Sequence, residues 1–265
     1  MKKILFVCDE NHYSPAAFEW IKALRKQEPL LVKGLFFKTG NVPGSMHPAA
    51  GDAENTLGFS SRDPEHFIDQ CQKHGISFYA VEKNKIDWQK AFWEEETRYA
   101  DLLIFSQDLL YAGTNGSQPN SYMQQLLRWA VCPVISVPDN AVPPEHLLVA
   151  YDGSAQSMQA LKQCCLLFPH YRELPVRIAY VKEEDSNNIP GVQLLTEYAE
   201  AHFTNVKIQK LHWDSDKHFS TWVGCFRNPL LISGAFGRSA LSTAFKESFV
   251  TKIIADHVAP VFMAH

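Results

Sequence analysis

The chain has 265 residues, of which 46% are hydrophobic and 20% charged, and its formal net charge is −4. This composition is typical of a globular protein with a hydrophobic core, and the length allows one or two domains. The mild acidity argues against a nucleic-acid-binding surface, which normally carries a basic stripe. No stretch approaches the roughly 18 apolar residues that a membrane-spanning helix needs, so we expect no membrane association.

Two apolar segments that end in an acid begin two similar halves of the chain. Residues 4–9 read ILFVCD and residues 147–152 read LLVAYD. Continuous apolar runs favour strands of a parallel sheet that is covered on both faces. Each run is followed by a helical pattern, for which we expect Ser14 as the cap in the first half and Ser154 or Ser157 in the second.

Matching ends complete this internal repeat. Residues 121–137 and 248–264 each indicate a helix, a break at a proline and a final strand, and the proline-rich segment 138–144 separates the two copies. We therefore predict two domains, residues 1–138 and residues 145–265. In the first domain, residues 39–64 are rich in Gly, Pro, Ser and Asn and are expected to form a long surface loop.

Five strands alternating with helices are predicted in each half. They begin near Lys3, Leu30, Ile76, Asp101 and Val134, and near His146, Val176, Val206, Pro229 and Val261. This alternation implies right-handed crossovers and an α/β fold with doubly wound parallel sheets. Such sheets bind ligands beyond the carboxyl ends of their strands, where the strand order reverses.

A glycine-containing turn follows the fourth predicted strand of the second half. Gly234 and Gly237 are spaced as G-x2-G, and Ser248 lies eleven positions after Gly237. The pattern resembles the signature of the universal stress protein family, G-x2-G-x9-G-[ST]. The segment DGS at residues 152–154 and the segment APV at residues 259–261 resemble that family as well. Each half of the chain shows the resemblance, so that it covers essentially the whole chain.

The resemblance implies two tandem five-stranded sheets, each with the strand order 3-2-1-4-5. It also implies that the contact through the last strands, which joins two chains in the family, is made here inside one chain. Residues 134–137 would then pair with residues 261–264, and the repeats would pack as a pseudo-dimer. Further dimerisation of the chain stays open.

The resemblance also implies a nucleotide site in the second domain. In ATP-binding members the acid after the first strand contacts the adenosine part, and the glycine turn with the G-[ST] pair surrounds ribose and phosphates. Glycines let backbone N–H groups approach anionic oxygens, and a helix N-terminus adds a favourable dipole. The expected ligand is ATP, with Mg²⁺, or another adenosine nucleotide. The residues carried over are Asp152, Val181, Gly234, Gly237, Arg238, Ser239 and Ser248.

The sequence departs from the family pattern at two places. Glu247 replaces the third glycine, and a carboxylate at ~4 Å from a phosphate costs about 4 kcal/mol at an effective dielectric constant of 20. In the first half, residues 105–110 (FSQDLL) replace the glycine turn and Asn120 with Ser121 replaces the G-[ST] pair. We therefore expect no nucleotide in the N-terminal domain.

Other kinds of site find less support in the sequence. No C-x-x-C pair, H-E-x-x-H, G-x-S-x-G or P-loop motif occurs, so we predict no metal site and no catalytic residue, with a weak ATPase as the most that the motifs allow. The six cysteines are expected to be free thiols in a reducing cytoplasm. The alternative to a nucleotide-binding stress-response protein is a regulatory module that kept the fold, lost the ligand and binds a protein partner of unknown identity.

Overall fold

The computed structural model describes residues 1–9, 13–37, 62–81, 89–112, 114, 119–180, 188–211, 216–234 and 249–264. The chain divides into two compact units, which are Met1–Cys132 and Pro133–His265.

The first unit contains four parallel strands in the order β3-β2-β1-β4. The strands are β1 Lys2–Asp9, β2 Leu30–Phe37, β3 Ser77–Val81 and β4 Leu102–Ser106. The helices are α1 Pro15–Gln27, α2 Arg62–Lys73, α3 Lys90–Arg98, α4 Asp108–Tyr111 and α5 Ser121–Trp129. Strand β1 is buried from Ile4 to Cys8, and β4 is buried throughout, as expected for strands that helices cover on both faces.

The second unit contains six strands in the order β5-β10-β9-β6-β7-β8. The strands are β5 Val134–Val137, β6 His146–Tyr151, β7 Val176–Tyr180, β8 Val206–Lys210, β9 Pro229–Gly234 and β10 Val261–Ala264. The helices are α6 Ala155–Leu167, a 3₁₀ helix Pro169–Glu173, α7 Val192–His202, α8 Asp216–Gly224 and α9 Phe249–Ala255. Strand β5 is antiparallel to β10, and the remaining pairs are parallel.

The predicted α/β fold and its strand order are confirmed. Strands β8-β7-β6-β9-β10 repeat the order 3-2-1-4-5, and β3-β2-β1-β4 give its first four positions. Each of the ten predicted strands begins within one residue of its expected position. The expected pairing of the last strands is also present, with Phe262 opposite Ile135. Because β5 pairs with β10, the second unit has six strands rather than the predicted five.

The last three residues of the predicted surface loop are helical. Helix α2 begins at Arg62 and includes Pro64, which was expected to end the loop. A proline is tolerated in the first turn of a helix, since the N–H that it lacks would have no acceptor within the helix. Residues 39–61 of the predicted loop lie outside the described residues.

All six cysteines lie in the described part of the chain, and no disulfide joins them. Cys8, Cys71, Cys132 and Cys164 are buried, whereas Cys225 is exposed. Burial raises the pKa of the Cys71 and Cys132 thiols to about 12. These buried thiols therefore stay protonated and behave as small apolar side chains, which confirms the prediction of thiols not joined in disulfides.

Candidate functional site

The strand order of the second unit reverses between β6 and β9. From β6 the chain moves outward to β7 and β8, and it then returns to β9 on the other side of β6. Asp152 directly follows β6, and Gly234 is the last residue of β9. The two strands are paired, with Ala150 opposite Ser233. Two of the predicted site residues therefore meet at the switch point, where open parallel sheets bind ligands.

Asp152 lies half-buried at this switch point and precedes helix α6. Its Oδ1 accepts a hydrogen bond of 2.9 Å from the backbone N–H of Ser154. Burial works against the charged form, but hydrogen bonds from Ser154 and Ser157 outweigh it and lower the pKa of Asp152 below the ordinary 3.8. The carboxylate is therefore charged at neutral pH and is held in place by the start of α6.

Ser154 is the N-cap of α6. It is one of the two serines that the sequence had suggested for this position. Its Oγ accepts from the N–H of Ser157 at 3.2 Å, and the Ser157 hydroxyl donates to the Ser154 carbonyl at 2.9 Å. This exchange satisfies one of the backbone donors that every helix start leaves without an intrahelical partner. The α6 N-terminus is thereby fixed one turn away from Asp152.

Gly234 lies against the same first turn of α6. A β-carbon at this position would be 2.8 Å from the carbonyl carbon of Gln156 and 2.8 Å from the backbone nitrogen of Ser157. Both atoms belong to the backbone of a capped helix, so they cannot move aside cheaply. The glycine therefore allows α6 to begin directly beside the end of β9, and this packing requires glycine with or without a ligand.

The turn before α7 contacts both sequence neighbours of Asp152. The hydroxyl of Tyr151 donates to the carbonyl oxygen of Pro190 at 2.8 Å. Gly153 has a φ of +81°, and a β-carbon there would lie 3.2 Å from the Pro190 ring. Burial, and then the charge of Asp152, raise the pKa of Tyr151. Its hydroxyl therefore keeps the proton that it donates to Pro190.

Five of the seven predicted site residues lie outside the described residues, and so does Glu247. They are Val181, Gly237, Arg238, Ser239 and Ser248. Their roles stay predictions that depend on the resemblance of the motif.

The first unit has a short helix where the second has its glycine-containing segment. Helix α4 follows β4 directly, and its Leu109 and Leu110 are buried. Asn120 joins this helix to α5, because its Nδ2 donates to the carbonyls of Leu109 at 2.6 Å and Ala112 at 3.1 Å. Its Oδ1 accepts from the N–H of Met123 at 2.9 Å and caps α5. The sequence predicted neither α4 nor this role of Asn120.

Two features of the site in the second unit were not predicted. The spacing of Ser154 and Ser157 had suggested a helix cap, but not that both residues also stabilise the charge of Asp152. The contact of Tyr151 with Pro190 joins residues 39 positions apart. No local pattern indicates such a contact, since it depends on where the loop after β7 returns to the sheet.

Neither a metal cluster nor a membrane span is found in the described ranges. No group of three or more His, Cys, Asp or Glu residues is arranged to hold a metal ion there. None of the helices in that part of the chain is long and apolar enough to cross a membrane.

The architecture resembles solved structures along the whole chain. A universal stress protein from Archaeoglobus fulgidus DSM 4304 superposes with a TM-score of 0.65 at 13% sequence identity, covering 99% of this chain and 96% of that one. The chain has the universal stress protein fold. A functionally unknown protein from Pseudomonas aeruginosa PAO1 superposes over 100% of this chain and 92% of its own, with a TM-score of 0.58 at 13% identity. A candidate universal stress protein from P. aeruginosa UCBPP-PA14 gives 0.58 at 12% identity, over 100% of this chain and 93% of its own.

The fold that the sequence motifs had suggested is shown by the comparison of structures, and comparisons of the whole sequence do not detect it. No protein-family model matches the sequence, and no curated protein matches it either. At identities of 12% and 13% the solved structures establish the architecture alone. Function must therefore be argued from the residues of the site.

Proposed function

We propose that this protein is a stress-response regulatory protein that binds an adenosine nucleotide in its second repeat, at the crevice between the ends of β6 and β9. The observation that carries the proposal is the meeting of Asp152 and Gly234 at the switch point of the sheet. A held carboxylate can accept hydrogen bonds from ligand hydroxyl or amino groups. The adjacent N-terminus of α6 favours a phosphate oxygen.

The experiment is an equilibrium titration of the full-length chain with ATP, ADP and AMP in the presence of Mg²⁺. We expect saturable binding of at least one of them, and Asp152→Asn should weaken it about tenfold, because a charged acceptor is lost. Asp69→Asn is the matched control, since Asp69 is exposed on α2 of the other unit. The absence of binding at millimolar nucleotide would overturn the proposal.

Glu247 provides a second, independent variable for the same titration. If its carboxylate lies near the phosphates, Glu247→Gly should strengthen the binding of ATP more than that of AMP, because the repulsion grows with phosphate charge. If Glu247→Gly strengthened the binding of ATP and AMP equally, the effect would come from the conformational freedom of the glycine backbone rather than from the removed charge.

We also propose that the first repeat binds no nucleotide. Helix α4, with Leu109 and Leu110 buried, follows β4 where the motif requires a glycine turn. Asn120 uses both its amide donors and its carbonyl oxygen within the protein. The expected stoichiometry is one nucleotide per chain, and a stoichiometry of two would contradict this part of the proposal.

The second candidate function is a protein-interaction module without a nucleotide. A specific observation favours it, because the contact of Gly234 with Gln156 and Ser157 explains the glycine without any ligand. Asp152 likewise has a structural use in the hydrogen bond from Ser154. A specific partner that is captured equally well with and without ATP would support this function over the first.

A further inference from the structure

A surface cavity of about 670 Å³ lies in the second unit, away from the switch point. Its lining is Arg172, Glu200, Phe203, Thr204, Asn205 and Val206. Val206 begins strand β8, so the cavity lies at the amino-terminal edge of the sheet. Asp152 and Gly234 lie at the carboxyl-terminal edge, because β6 to β9 are parallel. The volume is within the range of small-molecule sites.

The turn that forms one wall of the cavity is held at three consecutive residues. The N–H of Phe203 donates to Ala199 at 2.9 Å, the N–H of Thr204 donates to Arg172 at 3.2 Å, and the carbonyl of Asn205 accepts from Val176 at 2.8 Å. Phe203 is also only 5% exposed. The backbone of this wall is thus tied to α7, to the 3₁₀ helix and to β7, while the side chains of Arg172, Glu200, Thr204 and Asn205 are exposed at the open mouth of the cavity.

Two of the charges around the cavity are already engaged with this wall. The Thr204 hydroxyl donates to Glu173 Oε2 at 3.2 Å, and Arg177 Nη1 donates to Asn205 Oδ1 at 3.5 Å. These contacts leave Arg172 and Glu200 as the ionisable side chains that line the cavity.

Arg172 and Glu200 have opposite charges, yet they form no ion pair with each other or with another side chain in the described part of the unit. A simple anion would be attracted by Arg172 and repelled by Glu200, and a simple cation would meet the reverse. A zwitterion matches both charges, with a carboxylate towards the guanidinium and an ammonium towards the carboxylate. Phe203 and Val206 provide apolar lining for an aliphatic group.

We propose that this cavity is a second ligand site, separate from the nucleotide crevice, and that it binds a small zwitterion of the α-amino-acid class. Arg172 binds the carboxylate of the ligand and Glu200 binds its ammonium group. The site does not depend on nucleotide binding, because the two sites use opposite edges of the sheet.

The test uses L-leucine as the probe and two analogues that each lack one charge. N-acetyl-leucine keeps the carboxylate, and leucinamide keeps the ammonium group. Amide NMR spectra of the full-length chain are recorded at millimolar ligand. We expect L-leucine to shift the Thr204 and Asn205 signals, and each analogue to bind about tenfold more weakly, since each loses one charge-assisted contact.

Substitutions at the two charges assign the site. Arg172→Gln and Glu200→Gln should each weaken the binding of L-leucine about tenfold, since each removes one charge-assisted contact. Arg98→Gln and Glu95→Gln should leave the binding unchanged, because these control residues are exposed on α3 in the other unit. Unchanged spectra with all three compounds would overturn the proposal. Equal binding of leucine and both analogues would also overturn it, as would leucine binding that neither Arg172→Gln nor Glu200→Gln weakens.

Discussion

At Gly234 a helix approaches a strand so closely that a side chain has no room. A β-carbon would stand 2.8 Å from two backbone atoms of α6. We expect Gly234→Ala to lower the free energy of unfolding by about 1–3 kcal/mol, because the capped helix must shift away from β9. Urea denaturation measures the change.

Gly224 is the matched control for this prediction. It ends α8, and a β-carbon there would meet no heavy atom within 4 Å. Gly224→Ala should leave the stability within about 1 kcal/mol of wild type, in the stabilising direction, since alanine favours helix more than glycine does. Equal losses for the two variants would show that the packing at Gly234 is not what requires glycine.

Asp152 should make the stability of the protein depend on pH. Its pKa is lower in the folded chain, because hydrogen bonds from Ser154 and Ser157 outweigh burial. The unfolded chain therefore takes up the proton first. The stabilisation is fully present above pH 3.8, the ordinary pKa of an aspartate. It is lost as the pH falls through the lower pKa that Asp152 has in the folded chain.

Asp152→Ala is accordingly expected to lower the free energy of unfolding by about 1 kcal/mol at neutral pH, a value that allows for the partial exposure of the carboxylate. The difference from wild type should shrink as the pH falls from 3.8 through the lower pKa that Asp152 has in the folded chain, because the wild-type carboxylate then loses its charge. A series of denaturation curves from neutral pH into this acid range tests this, with Asp69→Ala as an exposed control. A difference that does not change with pH would contradict the role of the charge.

The sequence could predict that Asp152 and Gly234 lie close together, because they follow or end adjacent parallel strands, whose ends share one edge of the sheet. What holds them could not be predicted. The clash that requires glycine at Gly234 involves residues 78 positions away, at Gln156. The contact of Tyr151 with Pro190 is also non-local, and local patterns carry no information about such packing.

Among the elements, α4 and α5 show how one side chain can join two helices. Asn120 is 7% exposed, and its side chain makes three hydrogen bonds, to the carbonyls of Leu109 and Ala112 and to the N–H of Met123 in the first turn of α5. We expect Asn120→Ala to lower the free energy of unfolding by about 2–3 kcal/mol, because buried carbonyls lose their donors and α5 loses its cap.

Asn120→Asp separates these two contributions. It keeps an oxygen for the N–H of Met123 but removes the donors to Leu109 and Ala112. It should remain destabilising in urea denaturation, while Asn140→Ala, at an exposed turn, should change little. If Asn120→Asp were as stable as wild type, the bonds to α4 would contribute nothing.

The strands were the most predictable elements, since long apolar runs and the repeat of the pattern identify them in both halves. Helix α4 was not predictable, because four residues are too few to show a helical period. The start of α2 was missed because Asp63 and Pro64 are equally typical of a break and of a first helical turn.

At the scale of the whole molecule, strand β5 belongs to the second compact unit because it pairs with β10, although it lies at the end of the predicted first domain, residues 1–138. Val261, Phe262 and Met263 of β10 pair with β5, and all three are almost completely buried. The resemblance to the universal stress protein family implied this pairing. The number of strands that each compact unit contains could not be obtained from the repeat alone, because a strand can pair outside its own copy.

This arrangement predicts that the stability of the C-terminal fragment depends on where it begins. A fragment of residues 133–265 retains β5, whereas a fragment of residues 139–265 lacks it and exposes one edge of β10. We expect the longer fragment to have the higher urea midpoint, because the shorter one loses the backbone pairing of β10 with β5 and the burial that this pairing gives to Val261, Phe262 and Met263. Urea denaturation of the two fragments measures the difference. Equal midpoints would show that β5 contributes nothing to the stability of the second unit.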